Sequence, residues 1–159
     1  MGEKEKENKM DALKIAFCDD DKTSLNAIAG AVMSILQQQE IPAQAEKYIS
    51  PLELLDCCQR MQLDLVFLDI EMPGLDGIEL GQKLREVTAA TEIIYVSHRE
   101  DCVFNALQVH PFGFVRKSRF LKDIEDVMHS YLTMLDKRHT EKNVVVQTQS
   151  GYLRVPISR

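Results

Sequence analysis

Leu63-Asp64-Leu65-Val66-Phe67-Leu68-Asp69-Ile70-Glu71-Met72-Pro73-Gly74-Leu75-Asp76-Gly77 is the stretch whose reading decides the fold. Its first half is almost wholly apolar, as a central parallel strand covered on both faces must be, and it stops at an acid. Its second half carries Pro73-Gly74, a turn signal. The Asp69 carboxylate is therefore expected to stand exposed at the end of a buried strand, a good place for a nucleophile. Asp19-Asp20-Asp21 closes an earlier apolar run and Lys117 closes a later one.

Working outward, short β-like runs alternate with helical patterns. Leu13 to Cys18 reads as a strand, followed by Leu25, Ile28, Ala29, Val32, Ile35 and Leu36 at helical spacing. Ala43 to Tyr48 is a weakly patterned second strand, after which Ser50-Pro51 looks like an N-cap with proline at the first helical position. The third strand, Leu63 to Asp69, precedes a helix holding Ile78, Leu80, Leu84 and Val87. Glu92 to Ser97 is the fourth strand, with Val103, Ala106 and Leu107 on the next helix. Phe112 to Arg116 is the fifth, and Ser118 is expected to cap a last helix running past Leu135. This alternation predicts an α/β domain over 11–137: a five-stranded parallel sheet doubly wound with five helices. Such sheets bind ligands beyond the carboxyl ends of their strands, where Asp19, Asp20, Asp69, Ser97 and Lys117 all fall.

The 159 residues suit one ordinary domain and a little more, and 45% hydrophobic with 28% charged content is that of a soluble globular protein. Apolar runs are too short to span a bilayer, and no secretory signal opens the chain, so no membrane role and a cytoplasmic location are expected. A net charge of -6 argues against a nucleic-acid surface on most of the chain. Cys18, Cys57, Cys58 and Cys102 lack a zinc-like spacing with histidine and are expected as reduced, structural thiols.

Residues 1–10 alternate Glu and Lys without an apolar face and are expected to form a disordered tail. At the other end, 138–142 is charged and suited to a linker. Beyond it, Val144, Val146 and Thr148, then Leu153, Val155 and Ile157, alternate around the turn signal Ser150-Gly151. A lone hairpin is marginal in water, so 143–159 is expected to begin a second, mainly β domain.

A carboxylate attacks phosphorus poorly unless a divalent cation screens the repulsion between the two anions. Asp19 and Asp20 are the acids to hold one, and magnesium favours a few carboxylates plus a carbonyl and waters. Lys117 would neutralise a second phosphoryl oxygen and Ser97 would hydrogen-bond a third. Phe17-Cys18-Asp19-Asp20-Asp21, Leu68-Asp69-Ile70-Glu71-Met72-Pro73-Gly74-Leu75-Asp76-Gly77, Ser97 and Phe114-Val115-Arg116-Lys117 together resemble the receiver domain of a two-component response regulator, a flavodoxin-like fold.

The resemblance implies that Asp69 accepts a phosphoryl group from a sensor histidine kinase. Asp20, Asp69 and the backbone carbonyl of Glu71 would bind Mg2+ directly, and Asp19 largely through water. Ser97 would be the switch hydroxyl and Phe114 the aromatic switch residue. It also implies a phosphorylation-dependent homodimer, and a protein that is not a turnover enzyme. The strand pair after 143 and the stretch Pro111 to Ser118 resemble LytTR-type (LytR/AgrA-type) transcription regulators, which bind promoter DNA through the complete output domain.

Two alternatives stay open: a stand-alone receiver acting by protein–protein interaction, and an aspartyl-phosphate hydrolase with Glu71 as the second acid. The chain departs from the usual receiver pattern in having Ser118 where proline commonly follows the lysine. A cis bond there costs about 2.5–4 kcal/mol without proline, so the peptide is expected either trans or strained by the site. Phe114 lacks the hydroxyl of the usual tyrosine. His98 reads chiefly as an exposed loop residue, with an overhang above the site as the sharper alternative. Val103, Leu107, Phe112 and Val115 read first as core, and secondly as a patch for dimerisation.

Overall fold

The computed structural model describes residues 11–143, 145–148 and 151–154, with side-chain surroundings given for 11–140. The tail expected over 1–10 lies outside the described residues. Five strands, β1 (Leu13–Cys18), β2 (Ala43–Tyr48), β3 (Leu65–Asp69), β4 (Glu92–Ser97) and β5 (Gly113–Arg116), pair in parallel in the order β2-β1-β3-β4-β5. Helices α1 (Lys22–Gln38), α2 (Pro51–Arg60), α3 (Gly77–Val87), α4 (Val103–Leu107) and α5 (Phe120–Asn143) connect and follow them.

Successive side chains of a strand point to opposite faces, and this sheet uses both. Ile15, Phe17, Leu65, Phe67, Ile94, Val96 and Val115 meet α1 and α5 through Val32, Leu36, Ile124, Met128 and their neighbours. The Phe17 and Phe67 rings stack at 5.1 Å between centroids on this face. Ala16, Cys18, Val66, Leu68, Ile93 and Tyr95 face α2, α3 and α4. Two buried faces explain why β3 reads as a continuous apolar run, and the half-exposed edge position explains why β2 does not.

Asp21 caps α1 by accepting the Thr23 N–H at 3.0 Å, and Asp76 caps α3 by accepting the Glu79 N–H at 2.8 Å. Gly74 turns the β3–α3 loop with φ of 87°, a left-handed conformation that costs glycine little. Gly77 then starts α3 so close to β3 that a Cβ there would collide with the Asp69 carbonyl.

Several expectations need correction. Ser50 does stand before Pro51 at the start of α2, but its side chain makes no capping hydrogen bond. Ser118 does not cap α5; it lies exposed inside a 3-10 turn, Lys117–Arg119, and α5 begins at Phe120. The fourth helix is only five residues long and follows another 3-10 turn, Glu100–Cys102. Val115 is fully buried in the core and adds nothing to a surface patch, while Phe112 packs edge-on against Tyr131 at 5.6 Å. The stretch 138–142, expected as a linker, continues α5 to Asn143, because it lacks glycine and proline to stop a helix of charged residues.

After α5, β6 (Val145–Thr148) pairs antiparallel with β7 (Gly151–Arg154), Val145 opposite Arg154 and Thr148 opposite Gly151. The predicted hairpin is therefore present; residues 144, 149–150 and 155–159 lie outside the described residues. Among the described residues, no helix is long and apolar enough to cross a membrane. All four cysteines are buried free thiols.

Candidate functional site

The chain passes from β1 out to β2 on one side and then back across to β3 on the other. The crevice where strand order reverses thus opens between the carboxyl ends of β1 and β3. Asp19 follows β1 directly and Asp69 ends β3, so the topology itself brings the two acids together. Carboxylate oxygens of Asp19, Asp20 and Asp69 all lie within 4.8 Å of one another. From β5, the Lys117 ammonium reaches 2.9 Å from Asp19 Oδ2 and 3.4 Å from Asp69 Oδ1.

Asp69 was expected to stand exposed, and it does not: it is 3% accessible, and Asp19 is 4%. The crevice walls and the lysine cover both, leaving Asp20 as the exposed member of the cluster. Burial, then the charge of Asp19, pushes the Asp69 carboxyl up to about 7, with Lys117 pulling in the other direction. Burial works against the Lys117 ammonium, but the hydrogen bond to Asp19 and the charges of Asp69 and Asp19 outweigh it and hold the group above the usual lysine range. The neighbouring Cys18 thiol is pushed up to about 12, mainly by burial, and lies 3.7 Å from Met72 Sδ.

Three acids face one ammonium in a small volume, leaving an excess of negative charge and an all-oxygen donor set. This set fits a hard divalent cation of the magnesium type, which takes oxygen ligands and tolerates few protein groups.

Lys117 is aimed by its neighbour. The Asp123 carboxylate on α5 accepts the Arg116 backbone N–H at 2.9 Å, Nε at 2.8 Å and Nη2 at 2.9 Å. That grip fixes the end of β5, and Lys117 follows it directly at the start of the 3-10 turn with its ammonium in the crevice. The Lys117–Ser118 peptide is trans, which resolves the choice left open by the missing proline. No sequence signal marked the Arg116–Asp123 pair, because its seven-residue spacing gains meaning only when β5 and α5 pack.

Ser97 ends β4, fully buried. Its hydroxyl accepts the Arg99 N–H at 2.9 Å and contacts Glu71 Oε1 at 3.5 Å. Among the described residues these two are its hydrogen-bond partners, and Asp69 is not one of them. Phe114 sits half-buried on β5, paired with Tyr95 and packed against the α2–α3–α4 face. Glu71 is exposed two residues after Asp69, and His98 is exposed after β4.

Comparison with known proteins bears on this geometry. The description "Response regulator receiver domain" matches residues 15–129. The nitrate/nitrite response regulator protein NarL of Escherichia coli is 31% identical over 77 residues, 47% of this chain and 36% of that protein. The positive alginate biosynthesis regulatory protein of Pseudomonas aeruginosa is 25% identical over 116 residues, 73% of this chain and 46% of that protein. The transcriptional regulatory protein LytR of Staphylococcus aureus is 25% identical over 139 residues, 87% of this chain and 55% of that protein. The matches thus span about half or less of these relatives' own length.

Among solved structures, a two-component response regulator from Clostridium difficile superposes with a TM-score of 0.62 at 22% identity, over 80% of this chain and 98% of that one. A CheY-like receiver domain protein from Methanospirillum hungatei gives 0.63 at 20%, over 82% and 99%. At these identities the likeness speaks for the fold, which is the five-stranded, doubly wound receiver fold read from the sequence. With the family description spanning most of the chain and the acids and lysine gathered at its crevice, the chain belongs to the response regulator receiver domain family.

Proposed function

We propose that Asp69 accepts a phosphoryl group from a sensor histidine kinase and that its modification controls transcription through a C-terminal LytTR-type DNA-binding domain. The observation that carries this reading is the Asp19–Asp20–Asp69 cluster bridged by Lys117. In the reaction an Asp69 carboxylate oxygen forms a bond to phosphorus as the bond to the donor's imidazole nitrogen breaks. The imidazole leaves with the electron pair and takes up a proton.

Asp20, Asp69 and the Glu71 backbone carbonyl are the residues to hold Mg2+, with Asp19 acting through water. When bound, the ion would neutralise charge on the phosphoryl oxygens. Lys117 loses one anionic partner when the Asp69 carboxylate becomes an acyl phosphate and is free to pair with a phosphoryl oxygen. Ser97 would move to a further oxygen, and Phe114 would follow by ring packing alone. Such a local charge change drives a two-state element.

The product is a reversible covalent mark, so the protein is no turnover enzyme, and it acts in the cytoplasm. Homodimerisation would use the side of the sheet around β5, where Phe104, Leu107 and Leu121 are exposed apolar residues. The LytTR assignment draws on the hairpin β6–β7 and on the alginate regulator and LytR relatives.

Incubation with radiolabelled acetyl phosphate and magnesium tests the core of the proposal. One labelled, hydroxylamine-sensitive site is expected, lost in Asp69→Asn and after chelation of the metal. Undiminished labelling of Asp69→Asn would sink the assignment.

A further inference from the structure

The Ser97 hydroxyl has one proton and, being fully buried, must spend it on an acceptor. The Arg99 N–H at 2.9 Å already occupies the oxygen as a donor, so that contact leaves the proton free. The Glu71 carboxylate, 3.5 Å away, is the group that accepts it among the described residues. Glu71 itself is exposed, on the β3–α3 loop. It lines a cleft of about 470 Å³ together with Met72, Asp76, Arg99 and Asn105, so its side chain has somewhere else to go. The Arg99 guanidinium lines the same cleft but is engaged by the Asp101 carboxylate at 2.7 and 3.1 Å, so a released Glu71 carboxylate would turn to solvent in the open cleft.

We propose that the Glu71 side chain is a latch: it holds the Ser97 hydroxyl proton while Asp69 is unmodified, and must release it before Ser97 can bond a phosphoryl oxygen. This deepens the phosphoacceptor reading of Asp69 and rests on it. One proton cannot serve the carboxylate and the phosphoryl group together, so every contribution to the first contact opposes the second. The separation is long for a hydroxyl–carboxylate bond, which places the latch at the weak end of such interactions. Glu71 is thus a positioning residue acting through Ser97, a role separate from the metal role of its backbone carbonyl, which substitution of the side chain leaves in place.

The test is calorimetric titration of the full chain with beryllofluoride, a phosphoryl mimic, in the presence of magnesium. Four proteins are compared: wild type, Glu71→Ala, Ser97→Ala and the double variant, with Asp69→Asn as control. Freed of the latch, Glu71→Ala is expected to bind about 2- to 3-fold tighter, the lower end of what one net hydrogen bond carries. In the Ser97→Ala background the same substitution is expected to change nothing, because the proton it competes for is gone. Glu71→Gln keeps an acceptor without the charge and is expected to fall between.

An unchanged affinity in Glu71→Ala overturns the latch. So does a gain that persists in the double variant, since that gain would be plain repulsion between Glu71 and the anion. Equal binding by Asp69→Asn, or none by the wild type, overturns the phosphoacceptor reading and the latch with it. Glu71 is exposed, and Ser97→Ala and Asp69→Asn change little volume, so the core is expected to stay intact; thermal melts of all six proteins check this.

Discussion

Strands β1 and β3, which carry the acids, are buried along nearly their whole length, whereas the β4–α4–β5 edge is assembled from a 3-10 turn, a five-residue helix and a four-residue strand. The central pair is gripped from both faces by α1 and α5 and by α2 and α3. The edge segment buries little: Cys102, Ala106 and Val109 face the core, while Phe104 is 83% exposed. Arg85 at the end of α3 ties down the loop that follows α4: its guanidinium donates to the carbonyls of Val109 and His110, and also to that of Thr91. The difference sets the acid cluster on the well-buried part and the proposed readout on a part with little buried surface, where local opening costs less.

Core truncation should expose the contrast most strongly. Phe67→Ala removes a stacked, buried ring from β3 and is expected to cost about 3–5 kcal/mol in urea unfolding, against under about 0.5 kcal/mol for Phe104→Ala on α4. Comparable losses at the two positions would break the distinction between centre and edge.

Arg85→Ala leaves carbonyls of two loops without their cationic donor and is expected to cost about 1–3 kcal/mol. Its sharper signature is local: amide exchange over residues 103–110 should quicken by roughly tenfold or more, with β1 and β3 unaffected at matched global stability. Uniform acceleration across the sheet would mean that Arg85 supports the whole fold and not α4.

The stiff half carries its own strain, which pH reveals. With its carboxyl raised to about 7 in the metal-free fold and near the ordinary carboxylate value when unfolded, Asp69 keeps its proton in the native state over a window where the unfolded chain has lost it. The unfolded state therefore binds fewer protons, and the Asp69 contribution to stability falls as pH rises from about 4 to about 7. Asp69→Asn should accordingly raise the metal-free melting stability at neutral pH by roughly 1–2 kcal/mol, a gain that disappears below about pH 4. Added magnesium should stabilise the wild type and leave Asp69→Asn nearly unchanged.

Asp123 behaves in the opposite sense. The Arg116 guanidinium holds its carboxyl below the usual range, so its contribution is present above that range and is lost as pH falls through the folded value. Asp123→Asn should therefore weaken acid sensitivity slightly, and it should slow phosphoryl uptake by loosening the aim of Lys117.

Strand and helix positions were legible because burial writes itself into local pattern. The apolar run before Asp69, the stripe on α1 and the β4 run from Glu92 to Ser97 all report two-faced or one-faced burial within a few residues of chain. Capping was read less well, since Ser118 has a capping side chain but sits in a 3-10 turn. The charged residues 138–142 read as a linker but continue α5, because solvated helix and linker share a composition.

The order of acids, hydroxyl and lysine along the chain, each at a strand end, was determined by the sequence alone, and with it the fold and the family. Distances were not. Tertiary structure alone buried Asp69, set Lys117 between two carboxylates, turned Arg116 onto Asp123 and brought the Ser97 hydroxyl to Glu71. The reason is physical: local pattern encodes which side of an element is dry, whereas pKa shifts and hydrogen-bond choice depend on groups that meet only when β1, β3, β4 and β5 lie side by side.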